Sequence, residues 1–483
     1  MSISWELLEA EDKQAVLIKE IVKLNDYLPC NAYIPFSKDH IRNYCVLHIP
    51  PNEVHVFKTH SRAPFLIAVE LFLPEEAVTK ENNLDDSIAY NLSHEITINS
   101  AKKKESEKIS NSTRLLLRKV QKKMPKFNLT IVPSLTLKNS PSKGFCIPSF
   151  SSINKEPLYP IEEDKIVDSI KPSNRSETIK AINNLNVFGE SYKLQTERIR
   201  KQSPYGSLST WRLTKFIVKT NDNLIQEQFA MQLISQFKSI FKSSNLNLWV
   251  YSYEILCTGP NCGLIECIND ITTLDGLFKK INSIGVNTLS EFYEHYFIGQ
   301  ELQKARECLA YSLAAYSLIT YLLNIKDRHN ANIMIDTYGH ILHIDFGFFI
   351  SNNPGNINIE SAPFKLPSDW VNALGGMESV YFRMFRSGMI EGLLAIQKEY
   401  HQIQTLIEAM YNLHEDLPCF SGKLFAIQEV ENRIFPNVNG SNIKRRLNPT
   451  EAAIFIDRLI EKANNNWRAR AYDYYQYCCQ GIY

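Results

Sequence analysis

Ile325-Lys326-Asp327-Arg328-His329-Asn330-Ala331-Asn332-Ile333-Met334-Ile335-Asp336-Thr337-Tyr338-Gly339-His340-Ile341-Leu342-His343-Ile344-Asp345-Phe346-Gly347 is the stretch on which the reading of this chain turns. Two short apolar runs, 333–335 and 341–344, flank Asp336–Gly339, and this spacing predicts a β-hairpin. With the turn centred near 338, Asn332 falls opposite Ile344 and beside Asp345. The open end of the hairpin then presents an amide oxygen and a carboxylate together. Two hard oxygen donors with open coordination positions suit a Mg²⁺ ion carried in on nucleotide phosphates, because that ion keeps several waters and seldom needs a full protein cage.

Asp327 and His329 enter the same region from the preceding loop. Phosphoryl transfer asks little covalent chemistry of a protein. It needs phosphates held by cations, a metal spanning them, and a group that orients or deprotonates the attacking hydroxyl. An Asp-Phe-Gly tripeptide alone occurs often by chance. Asp327-Arg328-His329-x-x-Asn332 followed by His343-Ile344-Asp345-Phe346-Gly347 is far more specific.

Upstream, Trp211 to Lys219 alternates as a strand with Trp211, Leu213, Ile217 and Lys219 on one face. Asn221-Asp222-Asn223 reads as a capping cluster, with Gln226 three residues after Asn223 completing a capping box. The following helix turns Ala230, Leu233, Ile234, Phe237, Ile240 and Phe241 inward, with Glu227 on the side of Ala230 and Ile234. A lysine and a glutamate aimed at an apolar interior are costly unless they pair or hold a charged ligand. The alternative is that each snorkels to solvent.

The whole chain has 483 residues, 53 Lys+Arg against 52 Asp+Glu, and 44% apolar residues, enough for two to four domains or one bilobal enzyme with an insertion. A formal charge of +1 argues against nucleic-acid binding driven by overall charge. The ten cysteines show no metal-binding spacing, and the first residues lack a basic-then-apolar leader pattern, so reduced thiols in the cytosol are the expectation. The uncharged run Cys308–Ile325 carries three tyrosines and several hydroxyls, and reads as a buried core helix rather than a membrane span. A helix is expected within 11–28 and strands at 44–49, 54–58 and 65–72. From 79 to 185 the composition turns to Lys, Ser, Asn, Glu and Pro, as in a mobile insertion. Within it, Lys102–Lys126 holds ten Lys/Arg and two Glu with leucines interleaved. That stretch reads either as a basic amphipathic helix for an anionic membrane or as a solvated charged loop.

These motifs resemble the phosphatidylinositol 3-/4-kinase superfamily. Ser203-Pro204-Tyr205-Gly206, Trp211-Arg212-Leu213, Ala362-Pro363-Phe364-Lys365-Leu366, Gly375-Gly376, Leu417-Pro418-Cys419-Phe420 and the terminal Tyr472-Asp473…Gln476-Tyr477…Gly481-Ile482 are similar to its type III 4-kinases of the beta class. The resemblance covers 186–483 well and 11–78 more faintly. It implies an α+β, bilobal, protein-kinase-like lipid kinase fold. The sheet-rich N-lobe is expected from 41–78 and 186–268, the mostly helical C-lobe from 269–483, and 1–40 as a remnant of a helical domain. ATP with Mg²⁺ or Mn²⁺ would be the cofactors, and phosphatidylinositol in Golgi-type or other cytosolic membrane faces the substrate.

Carried over residue by residue, the resemblance makes Lys219 the phosphate clamp and Glu227 its partner, with Asp222 an accessory acid. Ser203, Pro204, Tyr205 and Gly206 would cover the nucleotide phosphates, and Glu266, Cys267 and Ile268 would form the hinge that meets adenine. Asp327 and His329 would orient and deprotonate the hydroxyl, Asn332 and Asp345 would hold metal, 345–366 would form the activation segment, and Lys365 would meet the lipid's phosphate. Two departures stand out: Asp222-Asn223-Leu224-Ile225-Gln226 lacks an acid and an arginine usual in the family, and Ala331 replaces a glycine. Neither position is among the assigned phosphate or metal ligands.

At the end of the chain, within 464–483, Trp467, Ala471, Tyr474, Cys478 and Ile482 form one helical stripe with Arg468 and Arg470 off it. Such a helix suits a membrane headgroup boundary, or equally packs on the C-lobe. A Ser/Thr protein kinase of the related branch and a catalytically dead membrane scaffold are the rival readings, and the recruiting partner is not legible.

Overall fold

The computed structural model describes residues 10–28, 43–57, 63–73, 175–354, 362–437 and 444–483, with isolated positions at 3, 7, 9, 34 and 36. The basic stretch 102–126 and the rest of 74–174 lie outside the described residues, as do 355–361 of the activation segment.

Helix α1 (Lys13–Asn25) begins where the Asp12 carboxylate accepts the Ala15 N–H at 3.0 Å, and it buries Leu17 and Ile21. Strands β1 (Cys45–His48), β2 (His55–Val56) and β3 (Phe65–Phe72) follow, at the positions their alternation predicts. Helices α2 (Arg175–Asn184) and α3 (Tyr192–Gln202) lead to β4 (Arg212–Thr220), α4 (Ile225–Ser243), β5 (Ile255–Gly259) and β6 (Cys262–Glu266). The antiparallel sheet runs β1-β3-β4-β6-β5, with β2 also on β3. Its two faces are both covered: Phe216 and Val218 of β4 pack with Val69 and Leu71 towards α1, while Leu213 joins Ala68, Phe72 and Trp211 on the other side.

Helix α2 corrects the expected extent of the insertion. Residues 175–184 are helical and bury Thr178 and Ile182, four positions apart on one face, so the polar composition there masks a short amphipathic helix.

The chain crosses from the first sheet to a second through 267–270. Strand β7 (Ile271–Thr273) opens this part, followed by α5 (Leu274–Ile281), α6 (Leu289–Tyr296) and the long α7 (Gln300–Leu322). The apolar run from Cys308 is the buried half of α7, as expected, and among the described residues no helix is long and apolar enough to cross a membrane. Strands β8 (Ile333–Asp336) and β9 (Ile341–His343) complete a three-stranded sheet in the order β7-β8-β9. Helices α8 (Ser368–Ala373), α9 (Val380–Lys398), α10 (Tyr400–Leu413), α11 (Leu424–Ile434), α12 (Pro449–Ala463) and α13 (Trp467–Gln480) build the remainder. This is the α+β bilobal kinase-like arrangement.

One core unites the helical part with α4, where Phe229 meets Phe349 and Phe420 at ring-centroid distances of 5.9 and 5.7 Å. The helix carrying Glu227 is thereby anchored on the lobe that carries Asp345.

Candidate active site

The hairpin pairs Ile333 with His343, Met334 with Leu342 and Ile335 with Ile341, and the Ile344 N–H donates to the Asn332 carbonyl at 3.0 Å. Asn332 and Asp345 therefore stand at the open end, as the turn position predicts. Gly339 adopts φ +89° in the turn, where a Cβ would sit 3.0 Å from that of Ala305, and its carbonyl accepts the Tyr293 hydroxyl at 2.6 Å. Asp336 closes the turn by accepting the Tyr338 and His340 N–H groups at 2.9 and 2.8 Å and holding His340 Nδ1 at 2.8 Å. The His340 ring stacks on Trp249 at 4.1 Å.

Asp327 and Asp345 both take left-handed backbone conformations, with φ of 63° and 57°. Such strain persists only where surroundings over-determine it. Arg328 does so: its guanidinium donates to the carbonyls of Lys326 (2.9 Å), Ile344 (2.9 Å) and Asp345 (2.5 Å) and lies over the Phe346 ring. Asn332 Nδ2 donates to the Asp327 carbonyl at 3.0 Å and approaches its carboxylate at 3.4 Å, which directs the amide oxygen the other way.

Across from this hairpin, Lys219 Nζ lies 3.3 Å from Glu227 and 3.9 Å from Asp222. These residues line a cavity of about 690 Å³ together with Pro64, Gln226, Asp345, Gly347 and Phe348. Burial opposes the Lys219 charge, but the carboxylates of Glu227, Asp345 and Asp222 outweigh it, so the ammonium is held above its ordinary range. Burial pushes the Glu227 carboxyl up; Lys219 pulls it back, Asp345 adds to the rise, and Tyr253 donates its hydroxyl at 2.8 Å. One ammonium faces three carboxylates here, an excess of negative charge that a divalent cation at Asp345 would offset. Asn332 and Asp345 thus fit the metal they were assigned, as an amide oxygen and a carboxylate in adjacent register.

His329 Nε2 is 3.6 Å from Asp327 Oδ1, and its Nδ1 is buried with no hydrogen-bond partner among the described residues. Burial lowers its pKa, Asp327 working against the shift and Arg328 and Lys365 with it, so the imidazole is neutral at neutral pH.

Three expectations are corrected. Ser203 to Gly206 does not cover the cavity. The Ser203 hydroxyl donates to Glu70, a carboxylate 1% exposed that also takes Trp211 Nε1 at 2.7 Å and His48 Nδ1 at 3.0 Å. Glu70 pairs in register with Leu213, six residues along β4 from Lys219, which at roughly 3.3 Å per residue is about 20 Å away. Pro64, at the β2–β3 connection, borders the cavity instead.

Lys365 is not open to a lipid phosphate. Its side chain is 7% exposed, and Nζ donates to Asp473 at 2.7 Å and Asn330 at 2.9 Å. Gln226 forms no capping box: Nε2 donates to the Gly347 carbonyl at 2.6 Å and Oε1 accepts the Cys419 N–H at 2.9 Å. At the hinge, the Glu266 and Cys267 N–H groups already donate to Glu254 and Lys215, and the Glu266 carboxylate takes the Tyr251 hydroxyl at 3.0 Å. Among the described residues the Ile268 N–H has no backbone hydrogen-bond partner.

Sequence reasoning missed Gln226, Tyr253, Arg328 and Tyr472, whose hydroxyl donates to Asp327 Oδ1 at 2.5 Å from α13. The terminal Tyr472-Asp473 pair was visible as a motif, though not as a contact.

Residues 213–421 match the family model of phosphatidylinositol 3- and 4-kinase. The chain carries a phosphatidylinositol 3- and 4-kinase domain. The matched segment contains Lys219, Glu227 and Asp345 of the cavity and Asp327, His329 and Asn332 of the adjoining loop. The chain is 33% identical to a phosphatidylinositol 4-kinase of Dictyostelium discoideum over 98% of its own length and 44% of that protein's. It is 37% identical to phosphatidylinositol 4-kinase PIK1a of Candida albicans over 61% of this chain and 31% of the relative. To phosphatidylinositol 4-kinase beta of Sorex araneus it is 26% identical over 98% of the chain and 59% of the relative. The chain thus spans only part of the length of these curated relatives.

Proposed function

We propose that this chain is an ATP-dependent lipid kinase that phosphorylates the inositol 4-hydroxyl of phosphatidylinositol at a cytosolic membrane surface, Golgi-type membranes among them. The observation that carries the chemistry is that the Lys219–Glu227 pair and Asp345 line one cavity, while Asn332, bonded to Asp327 and to the Ile344 N–H, stands beside Asp345 at the open end of the hairpin. The choice of lipid and hydroxyl rests on relatives named phosphatidylinositol 4-kinase.

Lys219 would bind ATP phosphates, held in place by Glu227 and Asp222, and Ile268 would present its N–H to adenine. Mg²⁺ or Mn²⁺ held by Asn332 and Asp345 would neutralise charge on the phosphates. Asp327 would orient the inositol hydroxyl, and neutral His329 would take its proton as the new oxygen–phosphorus bond forms and the bond to ADP breaks. Helix α13 would meet the membrane through its exposed aromatic face, where Trp467 and Tyr474 are 62% and 66% exposed.

The test is phosphorylation of phosphatidylinositol vesicles beside a peptide substrate, with positional analysis of the labelled lipid. Label at the 4-position is the expected result. Label on the peptide alone, or at another hydroxyl, would overturn the proposal.

A further inference from the structure

Helix α13 turns one face towards solvent and the other onto the catalytic loop. On the inner face, Gln476 is 4% exposed and its Nε2 donates to the Tyr472 hydroxyl at 2.8 Å. With that lone pair occupied, the hydroxyl's single proton is directed at Asp327 Oδ1, 2.5 Å away. This is the same oxygen that lies 3.6 Å from His329 Nε2. The other oxygen faces Asn332 Nδ2 at 3.4 Å. The rotation of the Asp327 carboxylate is therefore fixed from two sides, by the loop itself and by a residue 145 positions away.

A second contact lies beside the first. Asp473 takes Lys365 Nζ at 2.7 Å, and that ammonium also donates to Asn330 Oδ1 at 2.9 Å. Asn330 Nδ2 in turn donates to the Tyr483 carbonyl at 2.6 Å, and the Tyr483 N–H to Asp275 at 2.9 Å. Loop residues 327 and 330 are both held by the chain's last helix and the residues just beyond it.

We infer that Tyr472 is a positioning residue for Asp327, and that docking of α13 completes the catalytic loop. The inference rests on the kinase reading above. Tyr472 touches no reacting atom in this role. It holds the acid at the angle from which a substrate hydroxyl can be accepted, and Asp473, through Lys365, holds the loop that bears it.

The full chain carrying Tyr472→Phe tests this, since the ring is kept and the hydroxyl that links Gln476 to Asp327 is removed. Loss of one hydrogen bond to a charged group predicts a turnover about tenfold lower. The ATP KM should stay within about twofold, because Lys219 and the hinge are untouched, and the urea unfolding midpoint should be unchanged, which separates lost positioning from lost folded protein. ATP hydrolysis without lipid should fall by the same factor, water replacing the lipid hydroxyl at Asp327. Amides of 327–332 should exchange hydrogen faster in the variant. If the unaltered chain labels no phosphatidylinositol but hydrolysis and exchange respond to Tyr472→Phe in this way, the lipid assignment fails and the positioning role stands. Unchanged or increased turnover and hydrolysis, with exchange at 327–332 unaltered, would overturn it.

Discussion

Replacing His340 by Gln tests whether the turn of the catalytic hairpin is held by charge. Burial works against the imidazolium, but the hydrogen bond to Asp336, with a further one involving Cys308, raises its pKa from 6.5 to about 9. A folded-state value above the unfolded one means stabilisation that is complete below pH 6.5 and is lost as pH rises through 9. The expected contribution is about 3 kcal/mol near pH 6, about 2 kcal/mol at pH 7.5 and close to zero at pH 9.5. The side chain is 16% exposed, so solvent screening trims these figures only modestly. Urea unfolding of the parent chain and His340→Gln at the three pH values gives the difference directly, and lysine and tyrosine titrations common to both cancel. A stability difference that is the same at every pH would refute the reasoning, leaving the Trp249 stack rather than the His340–Asp336 pair as what holds the turn.

Two further outcomes follow from the cavity. Lys219→Ala should reduce turnover by at least about 10²-fold, the scale of removing one preorganised charge donor, with the unfolding midpoint little changed; near-normal turnover would contradict the clamp role. Gln226→Leu leaves the Cys419 N–H and the Gly347 carbonyl without this partner and should cost about 2–5 kcal/mol in chemical unfolding, whereas a loss below about 1 kcal/mol would show that the bridge between α4 and the Asp345 segment carries little load.

The hairpin was legible because a two-residue alternation and a Gly-containing turn fix register locally, and register alone sets Asn332 beside Asp345. Lys219 and Glu227 were legible for a related reason: an amphipathic strand and helix each point a charge inward, and only pairing relieves both. Contacts set by distant packing were not. Ser203 sits close to β4 in sequence, yet the buried carboxylate of Glu70 claims its hydroxyl at the far end of the sheet from Lys219. Gln226 occupies a capping-box position, but the Gly347 carbonyl and the buried Cys419 amide of the other lobe compete successfully for its side chain. Lys365 lies in the activation segment and is nonetheless covered by a helix that begins about a hundred residues later. Local periodicity contains no record of such pairings.

The most direct test of the account is the divalent-ion dependence of nucleotide binding. Titration of the full chain with a non-hydrolysable ATP analogue, with and without Mg²⁺, should show binding tightened by the ion in the parent, and that enhancement lost in both Asn332→Ala and Asp345→Ala with ion-free binding retained. Equal enhancement by Mg²⁺ in the parent and both variants would contradict the claim that the hairpin's open end holds the metal.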